Sequence, residues 1–177
     1  MRLSVCFLLA LALAGCLGAD NASRASCAGS RCDGVPDRDS CLTKLAEDCR
    51  EPGFCGSIVE REAEYRCRLR FGEYDQLLCA GISNESVRRE CYLNGAELTG
   101  DARLCGKLGD KPSDEMCLAS LARRSGNRTL CAPIRHKDRR EFCFAVADGD
   151  GTICGNLVGS DLRIMCVEWT MKRLPTV

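Results

Sequence analysis

The chain has 177 residues with 25 basic and 25 acidic side chains, and only 5% of its residues are aromatic. The charges are balanced and resemble those of ordinary solvated helix faces, so nothing suggests nucleic acid and we expect no nucleic-acid partner. The 16 cysteines are the most unusual feature, because such a content is typical of a secreted protein held together by disulfides.

Residues 1–15 have the features of a signal peptide. An apolar run from Leu3 to Ala14 follows a short positive start and is too short to cross a bilayer comfortably. The run ends in Leu13-Ala14-Gly15-Cys16, a string that resembles the lipobox of bacterial lipoproteins. This resemblance implies that cleavage leaves Cys16 as the first residue and that its sulfur carries a lipid. An ordinary signal peptide that is cleaved nearby, for example after Ala19, is the alternative.

Residues 16–26 are predicted to be the lipidated cysteine and a flexible tether, because the segment is small and polar. The lipid hypothesis also agrees with the number of cysteines. Cys6 leaves with the signal peptide and Cys16 carries the lipid, so fourteen cysteines remain for seven pairs. The anchor would hold the protein to a membrane on the extracytoplasmic side. Leu17 is not the aspartate that retains some lipoproteins at the inner membrane, so the resemblance favours the outer membrane or the cell surface.

From residue 27 to residue 177 we predict one α-helical, cysteine-rich repeat domain of about six hairpins. Five pairs of cysteines are each separated by eleven residues, and this constant interval identifies an internal repeat. In each pair the first cysteine lies in a short apolar helical segment, as in Leu78-Cys79-x-x-Ile82, and the second lies in a longer, more charged helix. The predicted fold class is therefore all-α, with tandem disulfide-stapled αα-hairpin repeats stacked as a short solenoid or compact bundle.

Capping residues mark the predicted ends of these helices. Four polar residues that each lie four positions before a first cysteine are expected to be N-caps of the short helices: Asp75, Asp101, Asn127 and Asp150. Three glycines are expected to end the preceding long helices: Gly100, Gly126 and Gly149. The N-caps of the long helices are expected at Asn84, Ser113 and Ser160, with Pro112 at a helix start. Glu51 and Pro52 break the pattern in the first complete unit.

The spacing favours disulfides within a unit over disulfides between units. The interval is constant within units and varies between them, and Cys166 has no later cysteine with which to pair. Both cysteines of a unit also lie about one helical turn from the connecting turn, which places their Cα atoms at the same height. For the N-terminal cysteines we predict two nested bridges. The predicted pairs are Cys55–Cys67, Cys79–Cys91, Cys105–Cys117, Cys131–Cys143, Cys154–Cys166, Cys32–Cys41 and Cys27–Cys49.

The pattern of alternating short and long helices with paired cysteines resembles the stapled helical-hairpin repeats of uncharacterised prokaryotic secreted proteins and lipoproteins. The resemblance covers about residues 30–177 and implies a fold without an activity. The C-x9-C hairpins of the mitochondrial intermembrane space are also similar, but their spacing differs and the signal peptide argues against that compartment.

The sequence predicts no catalytic residue, no metal site and no cofactor. His136 is the one histidine and lies in a very polar stretch, which is typical of a solvated surface residue. A single histidine in such a stretch gives little support for an imidazole-based metal site or a Ser-His-Asp system. Asp148-Gly149-Asp150-Gly151 resembles a calcium loop but has no closing glutamate, so a hairpin turn is the better interpretation.

Three Asn-x-Ser/Thr sequons would accept glycans in a eukaryotic secreted protein: Asn21, Asn84 and Asn127. The last two are better explained as N-caps, and the first lies in the tether.

We therefore expect a non-enzymatic, lipid-anchored scaffold of the cell envelope that binds an envelope or extracellular protein partner. A secreted inhibitor or effector without lipid is one alternative. The other is a bundle of reduced cysteines that stores a soft metal such as Cu(I), although the chain lacks the C-x-x-x-C spacing that would place several thiolates on one helix face.

Overall fold

The computed structural model describes Cys27 and residues 29–172, and within this part of the chain every regular element is helical. The contacts divide the chain between Phe71 and Gly72 into two compact units, each of which is described by itself. The single domain expected over residues 27–177 stays a prediction. The signal peptide, Cys16 and the tether up to residue 26, with Asn21, lie outside the described residues.

The first unit contains two hairpins. The first hairpin pairs a 3₁₀ helix, Gly29–Cys32, with helix α1, Arg38–Cys49, and the second pairs the 3₁₀ helix Pro52–Ser57 with helix α2, Arg61–Arg70. Leu42 of α1 packs in one buried cluster with Ile58, which follows the second 3₁₀ helix. Three disulfides staple this unit: Cys27–Cys49, Cys32–Cys41 and Cys55–Cys67.

The second unit contains four hairpins, each a short helix followed by a long one. The short helices are α3, Gln76–Gly81, and three 3₁₀ helices, Ala102–Lys107, Arg128–Cys131 and Gly151–Asn156. The long helices are α4, Glu85–Thr99; α5, Lys111–Ser125; α6, Lys137–Asp148; and α7, Ser160–Met171. Four disulfides each join the short and the long helix of one hairpin: Cys79–Cys91, Cys105–Cys117, Cys131–Cys143 and Cys154–Cys166. The all-α, tandem disulfide-stapled hairpin fold is thus confirmed.

The disulfides have nearly the same surroundings in each C-x11-C hairpin. The two Cα atoms are 5.6 Å apart in all five, and the first cysteine of each pair is at most 1% exposed. Three residues further on, each hairpin buries one branched apolar side chain, which closes the turn over the bridge: Ile58, Ile82, Leu108, Ile134 and Leu157. The staple and this apolar residue give each small repeat a core that its few aromatic residues could not supply.

The N-caps predicted for the short helices are confirmed. The side chains of Asp75, Asp101, Asn127 and Asp150 each accept a hydrogen bond from a backbone N–H in the first turn of the helix that follows. Asn84 caps α4 in the same way. Gly100, Gly126 and Gly149 end α4, α5 and α6 with a positive φ, as expected.

Two predicted caps of long helices are wrong. Helix α5 is capped by Asp110, whose Oδ1 accepts a hydrogen bond of 2.9 Å from the Ser113 N–H. With Asp110 as the N-cap, Pro112 lies in the first turn of α5. The N–H groups of a first turn have no partner within the helix, so the missing N–H of proline breaks no hydrogen bond there. Helix α7 already includes Ser160, and Gly159 precedes it without a side-chain cap.

The core of the second unit lies among α5, α6 and α7. Phe142 is completely buried, and its ring centroid is 5.4 Å from that of Trp169. Ala119, Ala122 and Ala145 are also completely buried, so small side chains let these helices approach closely.

Helix α4 makes its own close contact with the segment before α3. A Cβ built on Gly95 would lie 2.0 Å from Cε2 of Tyr74, so only glycine leaves room for this ring. The Tyr74 hydroxyl is buried without a hydrogen-bond partner, and burial raises the pKa of Tyr74 to about 12.

Candidate binding groove

An open groove of about 840 Å³ is formed by α4, α5 and α7 of the second unit. Its apolar lining comes from all three helices and from the residue that follows the 3₁₀ helix Ala102–Lys107: Leu93, Leu108, Met116, Met165 and Trp169. Most of these side chains are only partly buried, so the groove exposes apolar surface that the hairpins themselves do not cover.

Helical spacing brings the lining residues to one side of each helix. Met116, Ser120 and Arg123 follow one another at intervals of four and three residues along α5. Leu93 and Glu97 of α4, like Met165 and Trp169 of α7, are four residues apart. Other residues of α5, such as Ala119 and Ala122, lie in the core instead.

One end of the groove is built around Trp169, which is the only tryptophan of the chain. The indole packs against Phe142 on one side, and the guanidinium carbon of Arg123 lies 5.1 Å from its ring centroid. Arg123 Nη2 also donates a hydrogen bond to the carbonyl oxygen of Lys172, just after α7 ends. These contacts hold both the indole and the guanidinium in place.

The polar groups of the groove carry more positive than negative charge. Glu97 accepts a hydrogen bond of 3.0 Å from the Ser120 hydroxyl, and its other carboxylate oxygen is 3.9 Å from Arg124 Nη1. Arg123 adds a second guanidinium. The groove therefore offers an apolar surface with a cationic end, which suits an apolar segment that carries a carboxylate.

A groove of this size can hold a few side chains of a partner. Its volume lies within the range of about 300–1,000 Å³ that is usual for ligand sites. Two methionines add side chains that adjust to different shapes. Within residues 29–172 no group of three or more His, Cys, Asp or Glu side chains is arranged to hold a metal ion.

The residues that were predicted as caps, disulfide cysteines or candidate sites lie away from this groove, apart from Cys117 and Ser113. His136 is exposed and occupies the N-cap position of α6, where its side chain makes no capping hydrogen bond. In the Asp148-Gly149-Asp150-Gly151 segment, Asp150 caps the next helix and Asp148 lies 3.4 Å from Arg128, so the segment is a hairpin turn. Of the predicted disulfide cysteines, Cys117 contributes to the groove lining through its buried bridge.

The groove could not be predicted from the sequence, because its residues come from three separate hairpins. The available signal was the pair Met165 and Trp169 on the last helix, whose spacing of four residues places two large apolar groups side by side. That signal predicts a helix face but does not say whether the face is covered.

Comparisons with known proteins give no family model, no curated sequence and no solved structure that matches this chain. The seven disulfides indicate an oxidising, extracytoplasmic environment. No helix in the described part of the chain has the length and apolar character needed to span a membrane.

Proposed function

We propose that this protein is a non-enzymatic cell-envelope lipoprotein that uses its disulfide-stapled hairpins as a rigid scaffold for a protein partner. The lipid on Cys16 would hold it to the membrane, on the outer membrane or at the cell surface. The groove of α4, α5 and α7 is the observation that carries the binding part of this proposal.

The chemistry of the groove supports a protein segment as its ligand. Apolar side chains from three helices line the groove together with two arginines, and tryptophan, methionine and arginine are enriched at protein interfaces. Tryptophan and arginine are the residue types that most often dominate binding energy, and here they are stacked on each other. An apolar segment with acidic residues would match both parts of this surface.

The disulfides favour a scaffold function over the storage of a soft metal. Each of the fourteen cysteines in the described part is bonded to another cysteine, so no thiolate is available to bind Cu(I) unless the bridges are reduced. A secreted inhibitor or effector would use the same groove and differ only in having no lipid.

Intact mass of the protein purified from its native membrane tests the anchor. We expect a mature chain that begins at an acylated Cys16 and that gains no mass on alkylation after denaturation, because seven bridges leave no free thiol. Cys16→Ser should release the protein from the membrane. A non-acylated mass would remove the lipoprotein proposal, and alkylation of many cysteines would support metal storage instead.

Site-specific photo-crosslinking tests the groove. A photoreactive residue at Met116 should crosslink one partner protein in intact cells, and the same residue at Leu77, which is 83% exposed and outside the groove, should not. Met116→Glu should reduce recovery of the partner about tenfold or more, whereas Leu77→Glu should leave it unchanged. Equal crosslinking from both positions would contradict a binding function for the groove.

A further inference from the structure

Helix α7, the last helix in the described part of the chain, carries an apolar stripe that no other described residue covers. Ile164, Val167 and Met171 are 62%, 38% and 74% exposed. They are spaced by three and four residues, which places them along one side of the helix. Met165 and Trp169, which line the groove, lie on a different side of α7, so the stripe is a separate surface.

The corresponding positions of α5 receive the next hairpin. Counted from the second cysteine of the hairpin, the three stripe residues lie two before, one after and five after it. In α5 these positions are Glu115, Leu118 and Ala122. Ala122 is completely buried, and Glu115 is hydrogen bonded to Arg135 and Arg139 of the following hairpin.

The first unit shows the same relation in α1. Asp39 accepts hydrogen bonds of 3.2 and 3.0 Å from the Val59 and Glu60 amides of the following hairpin. Leu42 and Ala46 are 1% and 0% exposed. The stripe of α7 thus occupies the positions with which α1 and α5 contact the next hairpin, and it carries large apolar side chains instead of a carboxylate and an alanine.

We propose that this face binds the same face of a second copy of the chain, with the two α7 helices parallel across a two-fold axis. If Ile164 and Val167 are the a and d positions of a heptad, Met171 is the next a position. Arg163 then lies at g and Glu168 at e, on opposite sides of the stripe. In a parallel pair, g of one helix faces e of the other five residues further on, so Arg163 faces Glu168 of the second copy.

The charges favour a second copy because the stripe complements itself. The two-fold axis brings each Arg163 to a Glu168 and so creates two ion pairs of opposite charge, with no like charges opposed. Both side chains are exposed. Arg163 also donates two hydrogen bonds to the Leu157 carbonyl, which fixes the direction of its guanidinium group.

The association should be weak because the stripe is short. Helix α7 has 12 residues, and three apolar side chains from each copy bury less than the roughly 1,200 Å² of a standard stable interface. We therefore expect a Kd on the order of 10–100 µM. A membrane anchor is not needed for this step, so the inference is independent of the proposed function.

Sedimentation equilibrium of the oxidised mature chain tests the proposal. Cys16→Ser is included to keep any lipid out of the measurement, and concentrations from about 5 to about 500 µM bracket the expected Kd. Dimers should form, Ile164→Glu should weaken them about tenfold or more, and Leu77→Glu, an equally drastic change at an exposed leucine of α3, should leave the Kd unchanged. A monomer at every concentration, or equal effects of both variants, would overturn the proposal.

Charge reversal tests the parallel arrangement. Glu168→Gln and then Glu168→Arg should weaken the dimer stepwise, without touching the bond from Arg163 to Leu157. An equimolar mixture of Arg163→Glu and Glu168→Arg should form heterodimers more tightly than either variant forms homodimers, because only the heterodimer opposes a carboxylate to a guanidinium at both contacts. If Arg163→Glu does not fold, as judged by circular dichroism, the stepwise Glu168 series decides alone. A dimer that is insensitive to Glu168 would exclude this arrangement.

Discussion

Helices α5 and α7 carry different side chains on one face, at the three positions that lie two before, one after and five after the cysteine of each helix. On α5 the face has a carboxylate, a leucine and an alanine, and the fifth hairpin covers it. On α7 it has isoleucine, valine and methionine, and these side chains are exposed. In both helices the cysteine itself is buried.

The contrast shows how the repeats recognise one another. A carboxylate specifies the following loop by accepting its backbone N–H groups, and an alanine lets the two hairpins approach closely. A large apolar stripe provides neither contact, but it can bury surface against any helix of suitable shape. Internal docking faces are therefore specific to the next hairpin, whereas the face of α7 is suited to association with another molecule.

Exchanging one residue between the two faces should have the largest effect. Ala122→Met places the α7 residue in the covered face of α5, where Ala122 has no exposed surface, and overpacking should reduce the free energy of unfolding by about 2–3 kcal/mol. The reverse change, Met171→Ala, removes an exposed side chain and should change stability by about 0.5 kcal/mol or less. Guanidinium unfolding of the oxidised monomer measures both. Similar effects of the two variants would mean that the faces do not differ as described.

Much of the fold could be predicted from the sequence because its determinants are local. The interval of eleven residues specifies a hairpin, and caps such as Asp75 and Asp150 act within one helical turn, so neither depends on distant parts of the chain. The errors at Ser113 and Ser160 also have a local cause. Asp110 and Ser113 can both cap a helix, and only the position of Pro112 within the first turn decides between them.

The groove and the docking faces could not be predicted in the same way. Glu115 looks like any charged residue of a solvated helix, and its partners Arg135 and Arg139 lie in the next hairpin. Whether Met116 and Trp169 are covered depends on how three hairpins pack. Periodicity predicts that a helix has an apolar side, but it does not say which of two sides a neighbour occupies.

The second prediction concerns Glu115, the carboxylate on the covered face of α5. Burial by itself raises the pKa of Glu115, but hydrogen bonds from Arg139 and from the Arg135 backbone outweigh it and hold the pKa below its ordinary value of 4.5. Glu115→Gln should reduce the free energy of unfolding at neutral pH by about 1 kcal/mol, because a neutral amide bonds the guanidinium less strongly. Glu141→Gln, at the equivalent position of α6, is the matched control and should have a smaller effect.

The pH dependence of this difference follows from the lowered pKa. The unfolded chain binds the proton more readily than the folded chain, so the stabilisation is fully present above the ordinary pKa and is lost as the pH falls through the lowered one. The difference in the free energy of unfolding between wild type and Glu115→Gln should therefore decrease at acidic pH. If this difference in the free energy of unfolding stays constant down to acidic pH, the charge of Glu115 does not stabilise the docking of the fifth hairpin.

A change at Asp138 of α6 should give the smallest effect. Like Glu115, Asp138 accepts a hydrogen bond from a backbone N–H of the following hairpin, but this bond is weaker. Its Oδ2 accepts one hydrogen bond of 3.3 Å from the Val158 amide of the last hairpin. Since this contact is exposed to solvent, Asp138→Ala should cost only about 0.5 kcal/mol. Hydrogen exchange should nevertheless detect it as faster exchange of the Val158 amide, while the neighbouring Leu157 amide, which donates to the Cys154 carbonyl within its own hairpin, keeps its protection. Equal acceleration of both amides would indicate that the whole hairpin loosens, and the carboxylate would then act on folding of the repeat instead of on its docking.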